Sequence, residues 1–256
     1  MAKVIAVANQ KGGVGKTTTA VNLSSCVAYR NKKVLLIDLD PQGNATTGLG
    51  IDKRELEKSS YDVIINDVDI VSAMLDTKQE TLKICPSSIK LAGAEVELVS
   101  AISRETKLKD AVSAVKDQFD YIFIDCPPSL GLITLNALTA ADTVLVPIQC
   151  EFYALEGLTQ LMETVKLVQR HLNKSLSVEG VVMTMFDART NLSIEVVEEV
   201  RRHFGNKVYG TIIPRNIKLS EAPSYGLPII LYDEKSKGSE SYLKLADEFI
   251  EISMRK

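Results

Sequence analysis

The 256-residue sequence predicts an α/β fold, a mainly parallel twisted sheet with helices on both faces. Three observations carry that expectation. Short apolar, β-rich runs recur at 4–8, 34–37, 82–85, 121–124, 143–148, 178–183 and 208–213, continuous rather than alternating, as strands covered on both faces require. Mostly longer segments with helical periodicity lie between them, the alternation expected of strands joined by crossover helices. A glycine-rich turn, Lys11-Gly12-Gly13-Val14-Gly15-Lys16-Thr17-Thr18, joins the first apolar run to the first helical pattern.

In chain order, the run 4–8 feeds the glycine-rich turn and the helix 17–29 leaves it. The strand 34–37 ends at two acids, Asp38 and Asp40. Residues 52–80 have weak periodicity and many charges, so their path is the least defined. After the strand 82–85 come helices at about 91–103 and 104–117, then the strand 121–124 closed by Asp125. The helix 129–140, the strand 143–148 and the helix 156–171 continue the alternation. Strand 178–183, helix 193–203, strand 208–213 and helix 239–251 complete it. No internal repeat, low-complexity tract or Pro/Ser-rich linker interrupts the chain, and residues 1–256 are expected to form one domain.

Hydrophobic residues at 45% and charged residues at 25% are those of an ordinary globular chain. No stretch approaches the 18 uninterrupted apolar residues of a membrane span, and the first residues lack the apolar core of a signal peptide, so a cytoplasmic location is expected. Cys26, Cys85, Cys126 and Cys150 lie far apart without paired spacing, which argues for small buried residues rather than a zinc or disulfide framework. The net charge of −3 does not advertise nucleic-acid binding, which would have to come from a local patch.

The turn at 11–18 is a phosphate cradle. Its glycines let backbone N–H groups converge on phosphate oxygens, the helix N-terminus adds positive partial charge, Lys16 reaches the terminal phosphates and Thr17 offers a hydroxyl to Mg²⁺. The ordinary pattern fails at its start, where Gln10 stands in place of the first glycine and Lys11 follows. One lysine suffices for a loop's own nucleotide; a second suggests a charge for another nucleotide across a dimer interface. Four apolar residues ending in Asp125 have the form of a Mg²⁺-coordinating strand end. Pro127-Pro128 stiffens the next turn, making Ser129-Leu130-Gly131 a candidate segment for sensing the γ-phosphate. The plain alternative for Asp38 and Asp40 is a strand-end cap on the turn Asp40-Pro41-Gln42-Gly43.

With Asp38-Leu39-Asp40-Pro41-Gln42-Gly43-Asn44, Asp125-Cys126-Pro127-Pro128-Ser129, Pro214-Arg215-Asn216 and Leu219-Ser220-Glu221-Ala222-Pro223 in this order, the chain resembles the ParA/MinD family of deviant P-loop ATPases from about residue 3 to 250. Within that family the likeness is greatest to the chromosomal ParA proteins called Soj. The resemblance implies that Lys11 is the signature lysine, acting on the partner's nucleotide. It implies that Asp40 orients the attacking water and that Asp38 supports the Mg²⁺ shell or the loop. Asn216 would hydrogen-bond adenine and Pro214 pack on its face. Among the basic residues of the C-terminal third, Arg189 and Lys218 match positions of a nonspecific DNA-binding surface.

The function expected from these residues is that of an ATP-dependent, Mg²⁺-requiring homodimer that binds double-stranded DNA without sequence preference on the nucleoid. A ParB-type centromere-binding partner would stimulate hydrolysis and release it. A MinD-like positioning ATPase is the main rival, but the tail 239–256 mixes Tyr242, Leu245 and Phe249 with Glu240, Asp247, Glu248 and Glu251. Such a helix suits packing on the core better than an anionic membrane. A metabolic P-loop enzyme, the third class, would need a second substrate pocket.

Overall fold

A computed structural model describes residues 1–151 and 154–254. Its strands are β1 (Lys3–Val7), β2 (Val34–Asp38), β3 (Leu75–Asp76), β4 (Leu82–Cys85), β5 (Tyr121–Asp125), β6 (Thr143–Gln149) and β7 (Ser177–Thr184). They form one sheet in the order β3-β4-β2-β5-β1-β6-β7, parallel except for the short edge strand β3. The helices are α1 (Lys16–Tyr29), α2 (Asn44–Gly48), α3 (Ser60–Ile65), α4 (Ile70–Ala73), α5 (Leu91–Leu98) and α6 (Lys107–Ser113). They continue with α7 (Leu132–Ala140), α8 (Ala154–His171), α9 (Asn191–Phe204), α10 (Ile217–Glu221), α11 (Ile229–Tyr232) and α12 (Lys237–Met254).

The continuous apolar runs are explained by two cores, one on each face of the sheet. Along β1, Val4 and Ala6 enter one core while Ile5 and Val7 enter the other, the period-two geometry of a strand covered on both sides. On the first face these residues meet Ile133 and Ala137 of α7 and Leu158 and Leu161 of α8. On the second they meet Ala20, Leu23 and Val27 of α1 and Tyr242, Leu245 and Phe249 of α12. Phe249 stacks at 5.5 Å from Phe123 and 5.2 Å from Tyr121, and the Tyr242 hydroxyl lies 3.2 Å from Thr19 Oγ1. The last helix is therefore a core helix with its apolar stripe buried; Arg255 and Lys256, the end of the tail, lie outside the described residues. Among the described residues no helix is long and apolar enough to cross a membrane.

Four expected elements differ, among them the helix expected at 104–117, which narrows to α6 at Lys107–Ser113. The run 208–213 is not a strand: it meets β7 at its two ends, where Val208 bridges Val181 with the Tyr209 N–H donating to the Val181 carbonyl at 2.9 Å, and where the Ile213 N–H donates to the Met183 carbonyl at 2.9 Å. Between them the N–H groups of Gly210 and Thr211 donate to the Glu248 carboxylate at 2.7 and 2.9 Å, which diverts the backbone from the ladder. The helix expected at 91–103 stops at Leu98, and Ser103 has a left-handed φ of 53° before α6 begins at Lys107. The helix expected at 129–140 begins at Leu132, because extended Gly131 precedes it and the Thr134 hydroxyl donates back to the Ser129 carbonyl at 2.7 Å. The ill-defined stretch 52–80 resolves into α3, α4 and β3.

Candidate nucleotide site

The site lies at the carboxyl edge of the parallel strands, where open α/β sheets bind ligands. Gly13 and Gly15 adopt left-handed φ of 74° and 85°, which side chains with a Cβ disfavour. Two neighbouring strands clamp the loop between them. The Asn9 amide donates to the Pro147 carbonyl at 2.8 Å beside β6 and its oxygen accepts the Lys11 N–H at 3.0 Å. From the end of β7, the Thr184 hydroxyl donates to the Val14 carbonyl at 2.8 Å. Helix α1 starts at Lys16 with no side-chain cap and no acid in its first turn, so its leading N–H groups and positive end face the cleft.

Lys16 is buried and its ammonium donates to the Lys11 carbonyl at 2.9 Å across the loop. Burial pulls its pKa down, while the carboxylates of Asp125 and Asp40 oppose that shift. Lys11 pairs with Glu151 at 3.5 Å, a long, partly exposed contact worth roughly 0–1 kcal/mol. A Cβ on Gly12 would meet nothing within 4 Å, so this edge of the loop is open.

Asp38 and Asp125 end neighbouring strands in register. Asp38 is fully buried, and both its oxygens are in use. Oδ1 accepts the Asp40 N–H at 3.1 Å, and Oδ2 accepts the N–H and hydroxyl of Thr46 at 2.8 and 2.7 Å. Burial pushes its pKa to about 6 against the pull of those bonds, with the Asp40 charge adding to the rise. These contacts place Asp38 as the anchor of the 40–46 loop. The Asp125 carboxylate is buried with neither oxygen hydrogen-bonded. Burial, then the charges of Asp38 and Asp40, hold its pKa well above the usual range; the Thr17 hydroxyl is near enough to temper this but not in bonding geometry, and Lys16 also opposes it. Two orphaned buried oxygens beside a threonine hydroxyl suit a hard divalent cation, and Mg²⁺ commonly takes only one or two protein ligands beside phosphate and water. Asp40 is near-buried, its Oδ1 accepting the Gln42 N–H at 2.9 Å.

Two cavities adjoin along the loop. One of about 420 Å³ is lined by Gly12, Gly13, Lys16, Thr17 and Asp40 together with Pro128 of the stiff turn. The other, about 240 Å³, is lined by Pro214, Asn216, Ile213, Leu219 and Tyr242. They share Gly15, Thr18 and Met185, so together they offer a polar phosphate half and a less polar half of a size for a base. Asn216 Oδ1 caps α10 by accepting the Leu219 N–H at 3.3 Å, leaving its amide nitrogen as the group to meet a ligand. Thr46, Thr184 and Met185 escaped the sequence reading. Met185, at φ 52°, is a left-handed non-glycine residue that joins both cavities, and nothing in its type signals that.

Arg189 and Lys218 lie apart from the loop, on two segments joined by the Phe186–Pro214 bridge and the Arg215 N–H to Phe186 carbonyl bond of 3.0 Å. Each already holds an acid: Arg189 grips the Asp187 carboxylate at 2.6 Å, driving its pKa down, and Lys218 bonds Glu221 at 2.9 Å. The four cysteines are free and buried.

Fold and loop together define a P-loop nucleotide-binding protein. Comparison with known proteins agrees. The AAA domain family matches residues 2–178. The sporulation initiation inhibitor protein Soj of Bacillus subtilis is 62% identical over 97% of this chain and 98% of its own. The chromosome partitioning protein ParA of Myxococcus xanthus is 53% identical over 97% of this chain and 88% of its own. Among solved structures, cobyrinic acid a,c-diamide synthase of Mycobacterium smegmatis, with ADP and magnesium or with an ATP analog and magnesium, is 40% identical. It superposes with a TM-score of 0.85 over 96% of this chain and 93% of that one. The chain belongs to the ParA/MinD family of P-loop ATPases, in the company of Soj and ParA.

Proposed function

We propose that this chain is an ATP-driven dimerisation switch for chromosome or plasmid segregation, held on nucleoid DNA in its ATP state and released when a ParB-type centromere-binding partner stimulates hydrolysis. The observation that carries this reading is the pair of contiguous cavities, with Lys16 and Asp40 lining the phosphate half and the unpartnered Asp125 close to Lys16 and Thr17. Lys16 and the uncapped end of α1 take the phosphate charge of ATP. Asp125 and Thr17 hold Mg²⁺, and Asp38 keeps the loop beneath them. The bound cation supplies charge neutralisation of the phosphate oxygens. Asp40, fixed through its own loop, orients the attacking water. Pro214 packs on the adenine face and the Asn216 amide meets its edge.

Lys11 reaches the nucleotide of a second subunit across the open Gly12 edge, leaving its weak pair with Glu151. A cation supplied this way resembles an arginine finger, worth about 10³–10⁵ in turnover. In the dimer Arg189 and Lys218 exchange their acid partners for phosphates, with no motif for base reading. Mixing Lys11→Ala with Lys16→Ala subunits tests the arrangement. Hydrolysis altered beyond that of either variant alone is expected; a mixture behaving as the simple sum would remove Lys11 from the trans role.

The structural likeness to a protein named a cobyrinic acid a,c-diamide synthase favours one other reading, an ATP-dependent amide-forming enzyme. ATP turnover that is silent until a small carboxylic acid and an amine source are supplied, with no ATP-dependent DNA retention, would select it.

A further inference from the structure

We propose that a second ligand site, for a small organic anion bearing phosphate or carboxylate on an apolar body, backs the Asp40 loop and lowers the rate of hydrolysis when filled. The proposal rests on the assignment of Asp40 as the water-orienting group. A cavity of about 440 Å³ adjoins the nucleotide cleft and shares only Gln42 with its phosphate half. That volume falls within the roughly 300–1,000 Å³ of small-molecule sites.

Its wall carries four cations, Lys53, Arg54, Lys58 and Lys90, against the acids Glu57 and Asp62. Asp62 has both oxygens in use, accepting from Ser59 N–H at 2.9 Å, Ser59 Oγ at 3.0 Å and the Asn66 amide at 3.1 Å. Arg54 is bound to Asp52 outside the cavity. Lys58 and Lys90 form no ion pair among the described residues, and Lys53 donates only to a neutral group, the Gln42 carbonyl, at 2.6 Å. Three lysines outside any ion pair among the described residues thus line the cavity, an excess of positive charge over Glu57 and Asp62 in a chain whose net charge is −3. Pro41, Leu56 and Ile89 add apolar surface. Local positive charge over apolar walls selects an anionic head on an apolar body.

Coupling to the active loop is built into three dipeptides. At 40–41, 59–60 and 87–88, one residue lines this cavity and its neighbour in sequence belongs to the network that fixes the aspartates. Pro41, Ser59 and Ser88 face the cavity. Ser60 Oγ donates to the Asp38 carbonyl at 2.7 Å and Ser87 Oγ to the Asp40 carbonyl at 2.6 Å. The Ser59 and Ser88 hydroxyls, 3.0 Å apart, tie the other two segments together. Lys53 also lies across Gly43, where a Cβ would approach its Cδ to 2.6 Å. An anion that draws the Lys53 ammonium off the Gln42 carbonyl frees residues 42–43 and loosens the geometry of Asp40; differential occupancy of the two loop states supplies the coupling.

The test uses phenyl phosphate and phenylsuccinate as probes, titrated calorimetrically into the full chain saturated with ADP and Mg²⁺ so that the nucleotide site is taken. Saturable binding of at least one probe is expected, weakened at least tenfold by the double variant Lys58→Glu/Lys90→Glu. The bound probe should slow steady-state ATP turnover at least twofold in the parent and not in the double variant, whose basal turnover should equal the parent's. Binding of one probe alone assigns the head group. Absence of saturable binding, equal binding by the charge-reversed protein, or binding without any change in turnover would overturn the proposal. A parent that hydrolyses no ATP would sink the ATPase-switch reading, while the calorimetric comparison still decides whether the cavity takes anions.

Discussion

Replacing Asp125 by asparagine should stabilise the nucleotide-free protein while removing its Mg²⁺-dependent nucleotide binding. The carboxylate is buried, neither oxygen has a hydrogen-bond partner, and burial with the charges of Asp38 and Asp40 raises its pKa well above the ordinary carboxylate value. An unpaired buried polar group costs about 1–3 kcal/mol, more when charged, so deleting the charge at nearly constant shape should return roughly that amount. For a chain of this size each kcal/mol moves the melting temperature by about 2–4 °C, giving a rise of about 2–12 °C. The pH dependence follows from the direction of the shifts. Asp125 and Asp38, the latter at about 6 against 3.8 for the free side chain, bind protons more tightly folded than unfolded. Their destabilisation is therefore absent below the unfolded value and grows as pH rises through the folded one. The advantage of the asparagine variant should be greatest near pH 7.5 and shrink toward pH 5. Differential scanning calorimetry in EDTA at three pH values measures it. Melting equal to or below the parent's at pH 7.5, or a gap that widens on acidification, would refute the reasoning. With ATP and Mg²⁺ the order should reverse, because only the parent gains stability from ligand binding.

Asp40→Ala should leave ATP affinity intact and stall turnover, with light scattering showing a persistent dimer; rapid return to monomer would take Asp40 out of the catalytic role. Gly12→Val should preserve monomer stability and nucleotide affinity, since a Cβ there meets nothing within 4 Å, yet abolish ATP-dependent dimerisation in sedimentation. Arg189→Glu or Lys218→Glu in the Asp40→Ala background should weaken binding to unrelated duplexes about equally and flatten the slope of log affinity against log salt by roughly 0.9 per lost phosphate contact. An unchanged slope would leave these side chains to Asp187 and Glu221. Gly180→Ala should cost about 1–3 kcal/mol of stability, read as a lower urea midpoint, because the new Cβ would sit 2.5 Å from the Tyr209 ring and 2.9 Å from the Lys207 carbonyl; an unchanged midpoint would contradict the packing.

Six of the seven expected strands were legible because burial on both faces leaves an unbroken apolar run, a signal independent of tertiary partners. The run 208–213 has the same composition and is not a strand, because its middle donors, the N–H groups of Gly210 and Thr211, go to Glu248, more than thirty residues away. Periodicity likewise overran the helices at 91–103 and 129–140: the left-handed turn at Ser103 and the extended backbone at Gly131 are conformations of single residues, invisible to an average over many. In the candidate site, spacing alone singled out Lys16, Thr17 and Asp125, which the fold brings close together. The anchoring of Asp38 by Thr46, and of Asp40 by Ser87, was not; serines and threonines in loops are common, and only the fold brings these to the aspartates.

The partnership of α1 with α12 has a consequence for how the protein is made. The helix that presents the phosphate loop leaves the ribosome well before Tyr242, Leu245 and Phe249, which cover its buried face. A nascent chain of some 230 residues holds every residue assigned to phosphate and metal but lacks Tyr242 of the base cavity, and its phosphate-loop helix still exposes an uncovered apolar side. Competence to bind nucleotide thus waits for the synthesis of α12, and fragments stalled before it carry a sticky surface that chaperones or proteases can recognise.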